Sequence, residues 1–485
     1  MALLNSLLIA SALAWNPSAW ARPELQSTAR EDFALREAWV GILEVGPFEA
    51  VLQFRIEQNG AGATRAFFDS VTEKRTGFDA VWCIEGEELC FDVARVGATF
   101  RGRLDAEHTK ARGRFVQGGQ DRPITLERRT GVYEPQFTWE KRPQRPQPPF
   151  PYSAEEVTFA NERDGLTLAG TLTIPAGSGP HPALVLVSGS GPQDRDETLM
   201  EHKPFLVLAD HLGRSGIAVL RYDDRGTAAS GGDFSGATTE DFARDASAAV
   251  DFLRGHPRID PARIGLVGHS EGGLVVPLVA VEREDVALLV LLAATGLPGA
   301  SISREQAVSL ARAEGASEAA VRVRQIVTSA VVTVVEDASP DADLREGIER
   351  AVSELVATMP EEERALARAA DPEFRALLPT YASPWFRYFV RHDPRRVLRR
   401  VRCSVLALGG TKDVQVESAR NLPEIERALA EGGNLDHEII ELPGLNHMFQ
   451  ACESGAISEF VSIHETLNSV ALETIERWVA ERFAR

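Results

Sequence analysis

Basic residues are scarce in this chain relative to acidic ones. The 485 residues include 52 Lys and Arg against 71 Asp and Glu, which gives a formal net charge of −19 at pH 7. Nucleic-acid binding depends on clustered cations that neutralise phosphates, so this balance argues against a nucleic-acid partner. It also argues against a polybasic membrane attachment. We interpret the excess acid as a contribution to solubility.

Cysteine is also rare, with four in the chain. No CxxC pair and no His/Cys cluster has the spacing of a metal site, which argues against zinc. Cys83 and Cys90 flank the turn-like segment 85–88, so a hairpin could bring them together in an oxidising compartment. Spacing alone leaves open whether they form a disulfide. Cys403 and Cys452 fit buried free thiols equally well.

The apolar run near the start of the chain, Leu3 to Ala14, is too short to span a bilayer. Ala19-Trp20-Ala21 follows it and supplies small residues where a signal peptidase reads them. We therefore predict a signal peptide over residues 1–21 and a periplasmic or secreted protein. No Lys or Arg precedes the run, so an apolar N-terminal helix or a misplaced start codon stays open, in which case the protein would be cytoplasmic.

Residues 33–129 read as all-β, because short apolar runs recur there at hairpin spacing. The runs and the turn signals between them are 39–43, 50–56 and 99–104, with Asn59-Gly60 and Gly118-Gly119. The pattern predicts a small antiparallel barrel or sandwich, forming an N-terminal domain over residues 22–141. Five aromatic residues are expected to fill its core, with an aromatic ligand groove as the less favoured alternative. They are Trp39, Phe54, Phe67, Trp82 and Phe100.

The composition changes abruptly over residues 142–152, where five prolines favour an extended, semi-rigid linker. The linker predicts a domain boundary, with a second domain at residues 153–485. Residues 166–174 alternate in polarity and read as an edge hairpin strand. Apolar runs that follow are typical of a parallel sheet covered by helices on both faces. These runs are 183–187, 217–220, 264–267, 287–293, 405–408 and 438–442.

One helix is clear between the second and third of these runs. Apolar residues from Phe242 to Leu253 fall at helical spacing, and Thr238 with Asp241 has the pattern of a capping box. A helix-rich insertion is predicted at about 296–400, and such an insertion in a parallel sheet usually caps the carboxyl ends of the strands. Within it, Trp385 to Val390 could face the substrate or could simply dock the insertion.

The segment Gly268-His269-Ser270-Glu271-Gly272 follows a buried strand and precedes a plausible helix start. The G-x-S-x-G pattern is common by chance, but in this context it has a mechanism. A nucleophilic serine sits on a sharp, strained turn, and glycines two positions away on either side allow strand and helix to cross closely. The sequence therefore predicts Ser270 as a nucleophile, against a smaller chance of a plain Gly-rich turn.

A serine hydroxyl needs a base, and the base needs a carboxylate that orients it. Asp413 follows the strand 405–408 and His447 follows the strand 438–442, so both are expected at the edge where Ser270 projects. Two rivals, Glu417 and His437, fall where a helix and a strand should start and are discounted. His269 is expected to be a packing or hydrogen-bonding neighbour of the nucleophile.

An oxyanion hole needs two preorganised backbone N–H groups. We predict that one comes from Glu271, the residue after the nucleophile. The other should come from the loop Ser188-Gly189-Ser190-Gly191-Pro192, with the Ser190 N–H as our choice and the Gly191 N–H as the alternative. A phosphate-cradling loop is disfavoured, because no Gly-Lys-Ser or Gly-Lys-Thr follows.

From about Ser153 to Arg485 the chain resembles bacterial α/β hydrolases of the esterase and serine-aminopeptidase-like group, related to the prolyl-oligopeptidase-like and dienelactone-hydrolase-like branches. The matching stretches are 188–196, 221–226, 268–273, 409–413 and His447. The resemblance implies an α/β-hydrolase fold with a doubly wound, mostly parallel sheet and a helical cap, here preceded by the small all-β domain. It also implies a carboxylic ester hydrolase that works through an acyl-enzyme without a cofactor. Many relatives have His-Gly where this chain has Ser188-Gly189.

These observations favour an esterase that cleaves a small-molecule acyl ester by a Ser-His-Asp triad. A peptidase or thioesterase with the same triad is the first alternative. The second is an envelope protein that binds a ligand through its β domain and carries a vestigial hydrolase domain. The natural substrate, the oligomeric state and the role of the β domain stay open.

Overall fold

The computed structural model describes residues 33–45, 48–71, 75–94, 97–117, 120–133, 142–339 and 342–484. The predicted signal peptide and the Gly118-Gly119 turn lie outside the described residues, and export from the cytoplasm stays a prediction. The chain divides into two compact units, one containing residues 33–133 and the other containing 142–371 and 378–484. Each unit is described by itself below.

The first unit is a closed barrel of eight antiparallel strands, in which each strand pairs with the next and β1 also pairs with β8. The barrel form of the predicted all-β domain is therefore confirmed, rather than the sandwich. Its strands are β1 (Phe33–Val45), β2 (Phe48–Asn59), β3 (Thr64–Ser70), β4 (Arg75–Glu85), β5 (Glu88–Val93), β6 (Ala98–Leu104), β7 (Lys110–Gln117) and β8 (Gln120–Arg129).

Stacked phenylalanine rings fill the barrel interior. Phe54 and Phe91 are fully buried and lie face to face, with 4.2 Å between ring centroids. The prediction for Trp39, Phe54 and Phe100 is confirmed, and Trp82 packs partly buried against the same core. The prediction for Phe67 was wrong. Side chains alternate along β3, so Phe68 points inward while Phe67 lies outside under the guanidinium groups of two arginines.

Buried charges in the barrel pair with each other. The Asp69 carboxylate accepts hydrogen bonds from Arg55 and from the Gln53 amide, at 2.5 and 3.0 Å. Glu37, also buried, is held by Arg128. Cys83 and Cys90 are opposite each other in the β4–β5 register and are joined by a disulfide.

The second unit is built on one eight-stranded sheet with the order β16-β15-β14-β13-β11-β12-β10-β9. From β12 to β16 all neighbours are parallel, and β10 and β9 add two antiparallel pairings at one side. The strands are β9 (Tyr152–Asn161), β10 (Leu166–Pro175), β11 (His181–Val187), β12 (Ala218–Tyr222), β13 (Ile259–His269), β14 (Leu288–Leu292), β15 (Ser404–Gly410) and β16 (His437–Leu442).

The central strands are apolar on both faces, and β12 and β14 are buried along their whole length. This is the pattern expected of a parallel sheet covered by helices. The prediction that 166–174 forms the edge strand was wrong, because β10 lies between β9 and β12. The true edge, β9, is largely exposed and acidic, so it carries little of the apolar signal that marks a strand in sequence.

Eleven α-helices and one short 3-10 helix, Ile457–Val461, accompany this sheet in the described residues. The α-helices are α1 (Pro204–Arg214), α2 (Thr239–Arg254), α3 (Gly272–Glu282), α4 (Gly299–Ala313), α5 (Glu318–Asp337), α6 (Leu344–Thr358), α7 (Glu361–Tyr381), α8 (Pro384–Arg391), α9 (Pro394–Leu398), α10 (Ser418–Glu431) and α11 (Ser469–Phe483). The capping box predicted from Thr238 and Asp241 begins α2 and is confirmed. Helices α4 to α9 form the predicted insertion between β14 and β15. No helix among the described residues is both long and apolar enough to cross a membrane.

The proline-rich segment 142–151 contains no helix or strand. Its first residues are nevertheless fixed to the second unit. Arg142 donates to the Met200 carbonyl at 2.9 Å, and Gln144 accepts the N–H groups of Thr466 and Leu467. The predicted linker is therefore anchored at this end before it enters β9.

Candidate active site

Ser270 lies on a sharp turn between β13 and α3. Its φ of +52° falls in the left-handed region that residues other than glycine rarely adopt. Neighbouring glycines are required by close backbone approach, since a Cβ on Gly268 would lie 2.1 Å from the Gly272 carbonyl oxygen. A Cβ on Gly272 would lie 2.2 Å from the carbonyl oxygen of Val187, at the end of β11. The strained turn that the sequence predicts is present.

Asp413 follows β15 and His447 follows β16, and their side chains meet. His447 Nδ1 lies 2.8 Å from Asp413 Oδ2, and both side chains are buried. The other carboxylate oxygen accepts the N–H groups of Gln415 and Val416, each at 2.8 Å. A carboxylate fixed by three hydrogen bonds holds the imidazole in one orientation, with the proton on Nδ1 and Nε2 able to accept one.

The loop that carries His447 is itself fixed by buried amides. Asn446 accepts the N–H groups of Met448 and Gln450 through its side-chain oxygen, and its own N–H donates to the Gln450 carbonyl. Asn446 and Gln450 are fully buried. An Asx-type turn of this kind replaces regular secondary structure, and it gives His447 a defined backbone position.

His269, the residue directly before Ser270, contacts the segment that carries His447. The rings of His269 and His447 are 4.9 Å apart, and His269 Nε2 lies 3.0 Å from the His447 carbonyl oxygen. Among the described residues, no hydrogen bond joins Ser270 Oγ to His447 Nε2. Hydroxyl–imidazole contacts in ligand-free active sites often tighten only when substrate binds. The prediction that His269 is a hydrogen-bonding neighbour is confirmed.

The loop after β11 brings backbone N–H groups beside Ser270. Its Gly189 N–H is engaged, because it donates to the Glu197 carboxylate at 2.7 Å. The N–H groups of Ser190, Gly191 and Glu271 donate to no residue that the structure describes. Gly191 has a φ of +96°, a conformation that favours glycine. The predicted oxyanion donors at Ser190, Gly191 and Glu271 are therefore available to an acceptor.

Glu271, directly after Ser270, connects this turn to two helices. Its Oε1 accepts the Thr239 hydroxyl at the start of α2 and the indole N–H of Trp385 in α8, both at 2.7 Å. Burial raises the pKa of the Glu271 carboxyl, and the hydrogen bonds from Thr239 and Trp385 oppose that rise. Trp385 therefore links the helical insertion to the nucleophile turn.

Asp224, which follows β12, binds the glycine-rich loop that follows β11. Its carboxylate accepts the Ser188 hydroxyl and the Gln193 N–H, at 2.8 and 2.9 Å, so it grips both ends of the glycine-rich stretch. Burial raises the pKa of Asp224 well above its usual range. A small cavity beneath the loop is lined by Asp224 and by residues that include Ser188, Gly189, Tyr222, Phe242 and Glu271.

The sheet topology explains why these groups converge. The chain runs from β11 to β12 on one side and then to β13 on the other side of β11, so the loops after β11 and β13 diverge at a switch point. Ligand sites of open α/β sheets lie at the carboxyl ends of strands at such a point. The rivals Glu417 and His437 are the N-cap of α10 and the first residue of β16, as expected.

Two contacts at the site were not anticipated from sequence. Glu197 and Asp224 hold the loop after β11, yet neither belongs to the G-x-S-x-G segment or to the loops that carry Asp413 and His447. Asp224 falls in the stretch 221–226 that carries part of the family resemblance, but nothing in that stretch assigns it this contact. Glu197 follows a run of charged residues after the loop, which has no periodicity. In the described residues, no group of three or more His, Cys, Asp or Glu side chains could hold a metal ion.

Residues 164–433, more than half of the chain, match the X-Pro dipeptidyl-peptidase (S15) family. Part of the chain is similar to the esterase EstD of Thermotoga maritima, with 41% identity over 140 residues, covering 29% of this chain and 33% of that protein. An uncharacterised protein of Pseudomonas aeruginosa, PA2218, is 32% identical over 148 residues, covering 29% of this chain and 38% of that protein. The chain thus spans about a third of the length of these curated relatives.

Solved structures with a similar fold include the Pyrococcus furiosus esterase Pf2001, at 14% identity and a TM-score of 0.40, covering 69% of this chain and 91% of that one. The α/β hydrolase GrgF from Penicillium sp. sh18 has 19% identity and a TM-score of 0.41, covering 69% of this chain and 100% of that one. The resemblance to bacterial α/β hydrolases is confirmed. The chain belongs to the X-Pro dipeptidyl-peptidase (S15) family and has the α/β-hydrolase fold.

Proposed function

We propose that this protein is a serine hydrolase that cleaves carboxylic acyl esters of small molecules through an acyl-enzyme. Ser270 attacks the carbonyl carbon, and His447 takes the hydroxyl proton and later gives it to the leaving alcohol. Asp413 orients the imidazole. Water, activated by the same histidine, then releases the acyl group. The observation that carries the proposal is the Asp413–His447 hydrogen bond beside a serine held at positive φ.

The oxyanion that forms during attack needs donors that are already in place. We assign these to the backbone N–H groups of Ser190 and Glu271, which have no other acceptor in the described residues. The N-terminus of α3, which begins at Gly272, adds a favourable dipole for the developing charge.

The helical insertion is proposed to cover the site as a cap. The support is the contact between Trp385 of α8 and Glu271, since it places α8 against the nucleophile turn. The apolar residues of α8 then belong to the surroundings of the substrate. Of the two alternatives for residues 385–390, facing the substrate or only docking the insertion, we therefore favour the first.

A peptidase is the second candidate, and the family match favours it, because the family is described as X-Pro dipeptidyl-peptidases. We rank the esterase first, since the curated relative with 41% identity is an esterase. The two activities use the same triad and differ in leaving group.

The test combines a variant with a substrate panel. Ser270→Ala is expected to lower kcat/KM on short-chain aryl esters by about 10⁴-fold or more, because the nucleophile is lost. Ser215→Ala serves as the matched control, since Ser215 is an exposed residue that ends α1. A fluorophosphonate probe should label the wild type at Ser270. Undiminished turnover of Ser270→Ala would refute the assignment.

The panel then compares acyl aryl esters with X-Pro dipeptide anilides and acyl thioesters at equal concentration. We expect the highest kcat/KM on the esters. A preference for the anilides would establish the peptidase instead. Failure of the probe to label folded wild-type protein would favour a vestigial hydrolase that only binds ligands.

A further inference from the structure

Glu197 occupies a buried position behind the oxyanion loop, outside the predicted catalytic set. It is 4% exposed, and one of its two carboxylate oxygens, Oε1, accepts two hydrogen bonds. One comes from the Gly189 N–H at 2.7 Å, and the other comes from His269 Nδ1 at 2.8 Å. This carboxylate therefore joins the loop that carries the oxyanion donor to the residue directly before the nucleophile.

His269 extends the connection to the base. Its second nitrogen, Nε2, lies 3.0 Å from the carbonyl oxygen of His447. A carbonyl oxygen can only accept, so Nε2 carries a proton, and Nδ1 faces a carboxylate oxygen that already accepts another N–H. Both ring nitrogens are thus placed to donate, which describes an imidazolium paired with the Glu197 carboxylate.

The electrostatic surroundings agree with this geometry. Burial alone would lower the pKa of His269, but the charge and hydrogen bond of Glu197 raise it above its ordinary value, helped by the His447 carbonyl and by Asp413. A buried ion pair of this kind is stable only when it is well hydrogen-bonded, and here both ring nitrogens of His269 and the Oε1 atom of Glu197 are engaged.

The packing at Gly189 shows why small movements here would matter. A Cβ at Gly189 would lie 3.1 Å from Glu197 Oε1, 3.3 Å from Ser270 Cβ and 3.5 Å from His269 Nδ1. Gly189 therefore packs so close to Ser270 that no side chain fits between them without a shift. Because the Ser190 N–H follows in the chain, its position depends on where Glu197 holds Gly189.

Asp413 and this pair fix different features of the base. Asp413 sets the orientation of the His447 ring through Nδ1. His269 sets the position of the His447 backbone through its carbonyl oxygen. Orientation alone does not determine the distance from imidazole to Ser270, so the two contacts are complementary.

We propose that Glu197 and His269 form a positioning pair during acyl transfer. The pair holds the loop that carries Ser190 and the loop that carries His447 in fixed positions relative to Ser270. The proposal rests on the proposed serine hydrolase function. Neither residue touches the reacting atoms. Their effect passes through the Gly189 N–H on one side and the His447 carbonyl on the other.

The first test measures steady-state kinetics of Glu197→Ala and Glu197→Gln on an aryl ester. The alanine variant loses both hydrogen bonds, and we expect kcat to fall about 100-fold, the effect of roughly 1 Å of misplacement. The glutamine variant keeps an oxygen acceptor but loses the charge, so we expect a smaller fall of about tenfold. KM should change by less than about threefold, because Glu197 does not bind substrate.

Rates are expressed per active site, counted by end-point labelling of Ser270 with the fluorophosphonate probe. Asp210→Asn is the matched control, since Asp210 is a carboxylate that binds Tyr152 and Arg214 away from the site. Its kcat per labelled site should equal that of the wild type. Suppose that the wild type is labelled normally and that Glu197→Ala has an unchanged kcat. This result would overturn the positioning pair but would leave the serine hydrolase function intact. A wild type that does not label would refute the hydrolase itself.

The second test is ¹⁵N NMR of histidine-labelled protein at neutral pH. His269 should show two protonated ring nitrogens, and Glu197→Ala should abolish that signature. His202 is an internal reference, because burial lowers its pKa to about 4, helped by Arg142, and it should be neutral. A neutral His269 in the wild type would contradict the proposal.

Discussion

The barrel and the carboxyl edge of the large sheet bury polar groups in opposite ways. In the barrel, Asp69 and Glu37 are matched by Arg55 and Arg128, so each charge finds its partner within the same unit. At the sheet edge, the Ser190 and Glu271 N–H groups have no acceptor among the described residues. Satisfied polar groups serve the fold, whereas preorganised donors without an acceptor are suited to a reacting substrate. This difference agrees with the proposed function, in which the second region performs the chemistry.

The largest expected effect on stability comes from a substitution in the barrel that should leave the catalytic rate unchanged. Phe91 is fully buried in the barrel and stacks on Phe54, so Phe91→Ala should destabilise the barrel by about 3–5 kcal/mol. Hydrogen exchange should quicken in β4 to β6, while kcat per labelled active site stays at the wild-type value. A matching loss of kcat would break the comparison, because it would make the barrel part of the catalytic unit.

An intermediate effect concerns a buried histidine away from the reacting atoms. Burial lowers the pKa of His202 to about 4, with Arg142 contributing, whereas an unfolded histidine titrates near 6.5. The unfolded state therefore binds more protons between these values, and stability falls as pH drops from about 6.5 towards 4. The free energy of unfolding falls by at most about 3 kcal/mol, since each pKa unit of difference between the folded and unfolded states corresponds to about 1.36 kcal/mol.

Denaturant unfolding of the second unit at pH 7 and pH 5 checks this expectation. The wild type should lose more stability than His202→Gln over that interval, since the variant has no proton to bind. His269 should behave in the opposite sense, because its pKa is raised in the folded state. Its contribution is complete below about 6.5 and is lost as pH rises through its folded value. Equal pH dependence of wild type and His202→Gln would contradict the prediction.

The smallest effect is expected at the disulfide. Cys83 and Cys90 close a short loop, so replacing both with Ser should cost the barrel about 2 kcal/mol, the entropy of a loop of that length. Thermal unfolding with and without reductant measures it. Reductant should lower the barrel Tm of the wild type and leave the double variant unchanged. An insensitive wild type would show that the bond adds nothing to barrel stability.

Sequence reasoning locates Ser270, Asp413 and His447 because each follows an apolar run that forms a parallel strand. The carboxyl ends of such strands share one edge, so spacing along the chain becomes proximity in space. The same logic separates Asp413 from Glu417, which begins a helix instead. These positions depend on regular structure, and regular structure has a periodic signal.

Glu197 has no such signal. It lies in an irregular segment, its φ is +53°, and its partner His269 is 72 positions away. Only the folded path of the loop brings the two together. The prediction that Phe67 fills the barrel core is wrong for a related reason. Phe67 and Phe68 are adjacent, so an inward–outward alternation of side chains fits the sequence with either of them inside, and only the register of the barrel places Phe68 there. The edge strand β9 is missed because one exposed, acidic strand lacks an apolar pattern.

The helical insertion leaves the sheet after β14 and returns at β15, and these two strands are immediate neighbours in register. Replacing the whole excursion with a shorter or different one would leave that pairing intact. Asp413 and His447, which follow later strands, would keep their places. The helices of this insertion can therefore be exchanged only if their contacts with the rest of the unit are replaced, such as those of Ser309 with Glu417 and of Arg395 with Glu424. A new insertion must also supply a donor for Glu271 in place of Trp385.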